Sequence, residues 1–157
     1  MIDIVEARED LVDQWAALRL RLWEDGDVAT YAEEAREMLG EGTGRLLNLI
    51  AIDGKRAVGF AEASLRRDYV NGCDHLPVVF LEGIYLAPEA RSAGIGRRLC
   101  AQIEDWGRRA GCREFASDAW IDDHASHAFH QALGFAETER VVYFRKPLGT
   151  VALDMIS

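Results

Sequence analysis

Leu11, Trp15, Leu18 and Leu22 recur at steps of three and four, the spacing that gathers side chains on one face of a helix. A short strand over 2–5 precedes that helix, and a second helix is predicted over 30–39, closed by Gly40. Two apolar runs, 46–52 and 57–65, flank Asp53-Gly54, a pair that favours a tight hairpin. Residues 66–76 contain Asn71-Gly72 and no period, and read as a loop. The run 78–86 is a nearly continuous apolar strand, interrupted by Glu82-Gly83 and stopped by Pro88. A helix over 94–110 follows, with Ile95, Leu99, Ile103 and Trp106 on one face and Gly111 at its end. A short strand over 114–117, a helix over 125–133 ended by Gly134-Phe135, and a last strand over 140–144 complete the chain. Interleaved strands and helices, with a parallel crossover from 78–86 through a helix to 114–117, predict a single mixed α/β domain.

The length of 157 residues suits one domain with one full core. No apolar run approaches a membrane span, and the acidic start MIDIVEARED lacks the layout of a signal peptide, so the expected location is cytoplasmic. Cys73, Cys100 and Cys112 are an odd number without paired spacing, which predicts reduced thiols and neither a disulfide framework nor a metal site. The net charge of −9 disfavours nucleic acid and attracts polycations.

Against that acidic background, Arg91-Ser92-Ala93-Gly94-Ile95-Gly96 lies between the apolar strand and an amphipathic helix, with Arg97 and Arg98 close behind. Glycines allow close approach of a ligand, and a helix N-terminus offers unpaired N–H groups to an anion. The pattern is neither a nucleoside-triphosphate loop nor a three-glycine dinucleotide fingerprint. It suits a pyrophosphate; its ordinary alternative is a plain strand-to-helix turn.

The sequence 79–88 followed by Arg91-x-x-Gly94-x-Gly96 resembles the acetyl-CoA motif of the GCN5-related N-acetyltransferase (GNAT) superfamily, and Ala132-Leu133-Gly134-Phe135 resembles its second motif. Within it, Arg19-x-x-Leu22-Trp23, the stretch 68–73, Phe80-Leu81-Glu82-Gly83-Ile84, Ala116-Ser117-Asp118 and the stretch 137–143 resemble the aminoglycoside 6'-N-acetyltransferases of the chromosomal Gram-negative type. The resemblance implies a mixed central sheet with splayed parallel strands flanked by helices, spanning 1–148, with 149–157 as a tail. It implies acetyl-CoA as co-substrate, no metal, and transfer to the 6'-amine of a polycationic aminoglycoside in a ternary complex. The backbone of Ile84, Tyr85 and Leu86 would hold the acetyl and pantetheine portion, and Ser92, Ala93, Gly94, Ile95, Gly96 and Arg97 the pyrophosphate. Asp123 stands where many relatives have asparagine as a cofactor contact. Trp23, Tyr69, Glu82, Asp118 and Glu139 would meet the aminoglycoside, with Glu82 or Asp118 as base.

Each residue also has an ordinary reading: Glu82 and Glu139 as solvated strand residues, Asp118 as a turn cap, Trp23 as core, Tyr69 as a loop anchor. His130 falls where many superfamily members carry an acid tyrosine, but His127 and His130 also fit one plain helix face; Tyr143 is a further possible donor. Competing functions are an acetyltransferase for a polyamine or peptide amine and a non-catalytic acyl-CoA sensor. Relatives are commonly dimers, and the apolar 141–144 strand would suit such a contact.

Overall fold

The computed structural model describes residues 1–42 and 44–149. Five strands, β1 (Ile2–Glu6), β2 (Leu46–Asp53), β3 (Arg56–Arg66), β4 (Val78–Leu86) and β5 (Phe115–Ser117), form one sheet in chain order. The first four are antiparallel neighbours, and β5 runs parallel to β4. Helices α1 (Val12–Leu22) and α2 (Val28–Glu41) cover one face; α3 (Ile95–Arg109) and α4 (His124–Ala132) cover the other.

Strand alternation feeds both layers. On β2, Leu47, Leu49 and Ala51 pack toward α3, whereas Ile50 and Ile52 pack with Trp15, Ala16, Tyr31 and Ala35 from α1 and α2. Because both faces are covered, β3 is buried throughout except at its two ends.

Three boundaries differ from the sequence expectation. Helix α2 begins at Val28 because the Asp27 carboxylate accepts the Thr30 N–H at 2.8 Å, and it runs through Gly40 to Gly42, whose φ of 69° ends it. Helix α1 buries Val12, Trp15, Ala16 and Arg19, so its inward face is offset from the leucine stripe. The strand expected over 140–144 does not form: 135–149 has no regular secondary structure, since β5 ends the sheet and no described residue pairs with the segment. Of the expected tail, 150–157 lies outside the described residues.

Beneath β4 lies a buried ion pair. Arg19 on α1 donates to both oxygens of Glu62 on β3, at 2.7 and 2.9 Å, and Trp15 Nε1 donates to the same carboxylate at 2.9 Å. Arg19 also reaches Glu34 on α2 at 2.8 Å and lies over the rings of Trp23 and Tyr31. The network thus joins α1, α2 and β3 at one point.

Candidate active site

Two irregularities of β4 create the site. In its ladder with β3, Glu62 faces Gly83 while Ala63 faces Leu81, which leaves Glu82 as an extra, bulged residue. Pairing with β5 stops at Leu81 opposite Ser117. The bulge therefore falls at the point where the parallel strands part. From Gly83 to Leu86 the strand keeps β3 on one side and has no strand on the other. Alternate backbone N–H groups on that side are free to meet a ligand. Gly83 has a second role: a Cβ there would come within 2.5 Å of the Trp23 ring, so glycine lets the indole lie directly on the bulge.

The loop after β4 is shaped for an anion. Ser92 has φ 65° and Gly94 φ 78°, and no side chain caps the N-terminus of α3. Left-handed residues in such a loop can turn backbone N–H groups toward one concave side, and those of Ile95, Gly96 and Arg97 begin the helix without an internal partner. Ala93 is exposed, Ile95 is anchored in the core, and Gly96 makes room for Leu133, which follows α4. Of the arginines here, Arg91 is engaged with the Leu86 carbonyl and the Tyr85 ring, and Arg98 with the Ile2 carbonyl. Arg97 is exposed and makes no ion pair among the described residues. These residues fit a pyrophosphate held mainly by backbone, with Arg97 at hand.

On the other side of the bulge, a cleft of about 550 Å³ is lined by Arg45, Ser64, Arg66, Asp68, Tyr69 and Glu82 among others. Glu82 accepts a hydrogen bond from Ser64 Oγ at 2.6 Å and is paired with Arg66 at 2.9 Å. Tyr69 is 71% exposed above it. The lining is therefore of mixed charge, with Glu82 engaged by Arg66.

Asp118 directly follows Ser117, as Glu82 directly follows Leu81, so the two carboxylate residues flank the end of the β4–β5 ladder. Asp118 is exposed and forms no side-chain hydrogen bond or ion pair among the described residues, and it does not line the Glu82 cleft. Glu139 is also exposed and unpaired among them. Trp23 is half-buried between Gly83, Phe60 and Tyr31. The capping role open to Asp118 falls to Asp123, whose carboxylate accepts the Ser126 N–H at the start of α4.

His130 is not idle on its helix. Its Nδ1 lies 2.7 Å from the Ser126 carbonyl, which can only accept, so Nδ1 carries the proton. In the neutral ring Nε2 then accepts the Ser117 hydroxyl, 2.8 Å away. His130 thereby ties α4 to β5 where the strands separate, a connection that no sequence pattern signalled. Tyr143 is 78% exposed. Among the described residues no cluster fit for a metal ion occurs, and no helix is long and apolar enough to cross a membrane.

A splayed strand pair, an uncapped helix behind a phosphate-type loop and a carboxylate on the intervening bulge agree with what comparison finds. The sequence profile of the acetyltransferase (GNAT) family matches residues 6–135. An aminoglycoside N(6')-acetyltransferase type 1 from Stenotrophomonas maltophilia is 52% identical over 134 residues, covering 85% of this chain and 86% of the relative. The crystal structure of the aminoglycoside 6'-N-acetyltransferase AAC(6')-Ih from Acinetobacter baumannii superposes with a TM-score of 0.89 at 45% identity, covering 95% of this chain and 100% of that one. AAC(6')-Iy, solved with the bisubstrate analogue CoA-S-monomethyl-acetylneamine, gives 0.86 at 42% identity, covering 94% and 99%. This chain is therefore a member of the acetyltransferase (GNAT) family, within the group of the aminoglycoside N(6')-acetyltransferases type 1.

Proposed function

We propose that the protein transfers the acetyl group of acetyl-CoA to the 6'-amine of aminoglycoside antibiotics by direct attack in a ternary complex. The observation that carries this reading is the coincidence of the Glu82 bulge with the end of the β4–β5 ladder. In this reading the backbone N–H groups after the bulge serve the donor side, and the carboxylate on the bulge serves the acceptor side. The complexes of relatives with a bisubstrate analogue and with CoA support the same pair of substrates.

In this mechanism the N–H groups between Gly83 and Leu86 hold the pantetheine arm, and one of them stabilises the oxyanion formed on the thioester carbonyl. The backbone of Ser92 to Arg97 binds the pyrophosphate. An alkylamine is mostly protonated at neutral pH and must lose a proton to attack. Glu82, already held by Ser64 and Arg66, binds the ammonium; Asp118, with its lone pairs unengaged, takes the proton directly or through water. Tyr69, Trp23 and Glu139 complete the acceptor contacts. The amide forms, the carbon–sulfur bond breaks and free coenzyme A leaves. Acetylation removes a positive charge and a donor from the antibiotic, which weakens its grip on ribosomal RNA and so confers resistance.

The catalytic domain is taken as 1–148. A homodimer fits the chain end, where Val142, Tyr143 and Phe144 are 77%, 78% and 92% exposed, an apolar run that a second copy would cover. A cytoplasmic enzyme would meet both acetyl-CoA and the drug's ribosomal target.

The test is coenzyme A release with acetyl-CoA and two matched antibiotics, one bearing a 6'-amine and one a 6'-hydroxyl. Turnover with the amine alone is expected. Binding of acetyl-CoA without turnover of either would overturn the acceptor and turn attention to polyamines, peptide amines or an acyl-CoA sensor.

A further inference from the structure

The segment 67–77 that carries Tyr69 has no regular secondary structure, yet it is held from three directions. From below, Val70 is 6% exposed and packs on Val78 and Phe80 of β4. From the chain end, Thr138 sits against Gly72, where a Cβ would come within 2.2 Å of its hydroxyl oxygen; Gly72 also has φ 80°. From the side, one oxygen of Glu114 accepts the backbone N–H groups of Asp74 and His75, each at 2.8 Å, and lies 3.2 Å from His75 Nδ1. Glu114 is fixed in turn, because its own carbonyl accepts the Val79 N–H at the start of β4.

We propose that Glu114 is a positioning residue for acceptor binding: its carboxylate clamps the 67–77 loop to the sheet and so sets Tyr69 over the Glu82 cleft. This rests on the acceptor reading above. An unanchored loop would have to be ordered by each arriving antibiotic, at a cost in affinity. A carboxylate suits the task because it accepts two N–H bonds at once, and charge-assisted bonds are the stronger kind. The same bonds, first from Asp74 N–H and then from His75 N–H, hold Glu114 below the usual carboxylate range. Glu114 touches neither substrate in this arrangement; it acts through the loop.

Cys73 provides a reporter inside the clamped segment. It is partly buried, whereas Cys100 and Cys112 are buried. Burial, and then the nearby Glu114 and Asp74 carboxylates, hold its thiol above the usual range. Removing the Glu114 charge alone would therefore speed alkylation, and the variants must separate charge from anchoring. E114Q loses the charge but keeps an acceptor oxygen; E114A loses both; E114D keeps the charge but is one methylene short. The experiment compares acceptor KM with a 6'-amino aminoglycoside, acetyl-CoA affinity, and the rate of Cys73 alkylation by iodoacetamide.

The expected result is a rise of about ten-fold in acceptor KM for E114A and E114D, with acetyl-CoA affinity unchanged and most of the loss recovered in E114Q. Cys73 should react faster in E114A than in E114Q, and faster in E114D than in the unmodified protein. Equal acceptor KM in all four proteins, or equal Cys73 rates within both pairs, would overturn the proposal. If E114A does not fold, E114D against the unmodified chain decides it. Absence of aminoglycoside turnover in the unmodified protein would instead sink the acceptor reading, and the Cys73 rates would still decide whether Glu114 anchors the loop.

Discussion

Glu82 and Asp118 each follow a residue of the last β4–β5 pair, yet their surroundings differ, and the proposed mechanism gives them different tasks. Glu82 already has two partners, and Asp118 has none among the described residues. The D118N variant should lose about 10²- to 10⁴-fold in kcat, the usual contribution of a positioned base, with little change in acceptor KM. E82Q should instead raise acceptor KM, because it weakens the hold on the ammonium while leaving the bulge in place. Steady-state kinetics on the two purified variants separates these outcomes, and a large kcat loss confined to E82Q would reverse the assignment. At this scale the sequence was legible where chemistry repeats a pattern, as in the Ser92–Gly96 turn. It was mute where an oxygen's partner comes from a distant strand. Nothing local to Glu82 points to Ser64 or Arg66, and nothing local to Glu114 points to the loop it holds.

Helix α1 shows the same limit for elements. Its period announced a helix, and one formed, but the buried face includes an arginine that apolar spacing could not mark. Arg19 is admitted because Glu62 and Glu34 meet it there, one from β3 and one from α2. Buried pairs of this kind add little net stability, yet removing one partner commonly costs about 3–5 kcal/mol. Burial pushes the Glu62 carboxyl up to about 7, from an ordinary value of 4.5, despite the opposing pull of Arg19. A carboxyl raised that far holds, between those two values, a proton that the unfolded chain has released, and gives up its charge in the pair with Arg19 to do so. Glu62's contribution is thus fully present below about pH 4.5 and is lost as pH rises through about 7. Measured against E62Q, the unfolding free energy should fall by roughly 3 kcal/mol across that window in urea titrations. A pH-independent difference would mean that Arg19 keeps the carboxylate ionised throughout.

For the whole molecule, the mixed α/β class and the parallel crossover onto β5 followed from interleaved strand and helix signals, because those elements find their partners within the chain, whereas the strand order depends on which strands meet and carries no local signal. The segment 140–144 read equally well as a strand, with two β-branched and then two aromatic residues, and formed none. Sequence gives a segment's preference for extension; a ladder needs a neighbour, and this one would come from a second copy. In light scattering the protein should have the mass of a dimer, and F144D should shift it toward the monomer while melting near the parent temperature. A parent protein of monomer mass would reject that assembly.

The bulge on β4 has a consequence for how this protein can change by inheritance. Glu82 is both the surplus residue that opens the strand and the acid that lines the cleft beside it. A substitution at this codon removes the acid and keeps the opening. Loss of the codon removes both: Gly83 would follow Leu81 directly, still opposite Glu62, and the ladder would close into regular register with the later side chains on their present faces but without the opening. One-residue deletions here should therefore be absent among functional descendants, even while point changes at the same position persist.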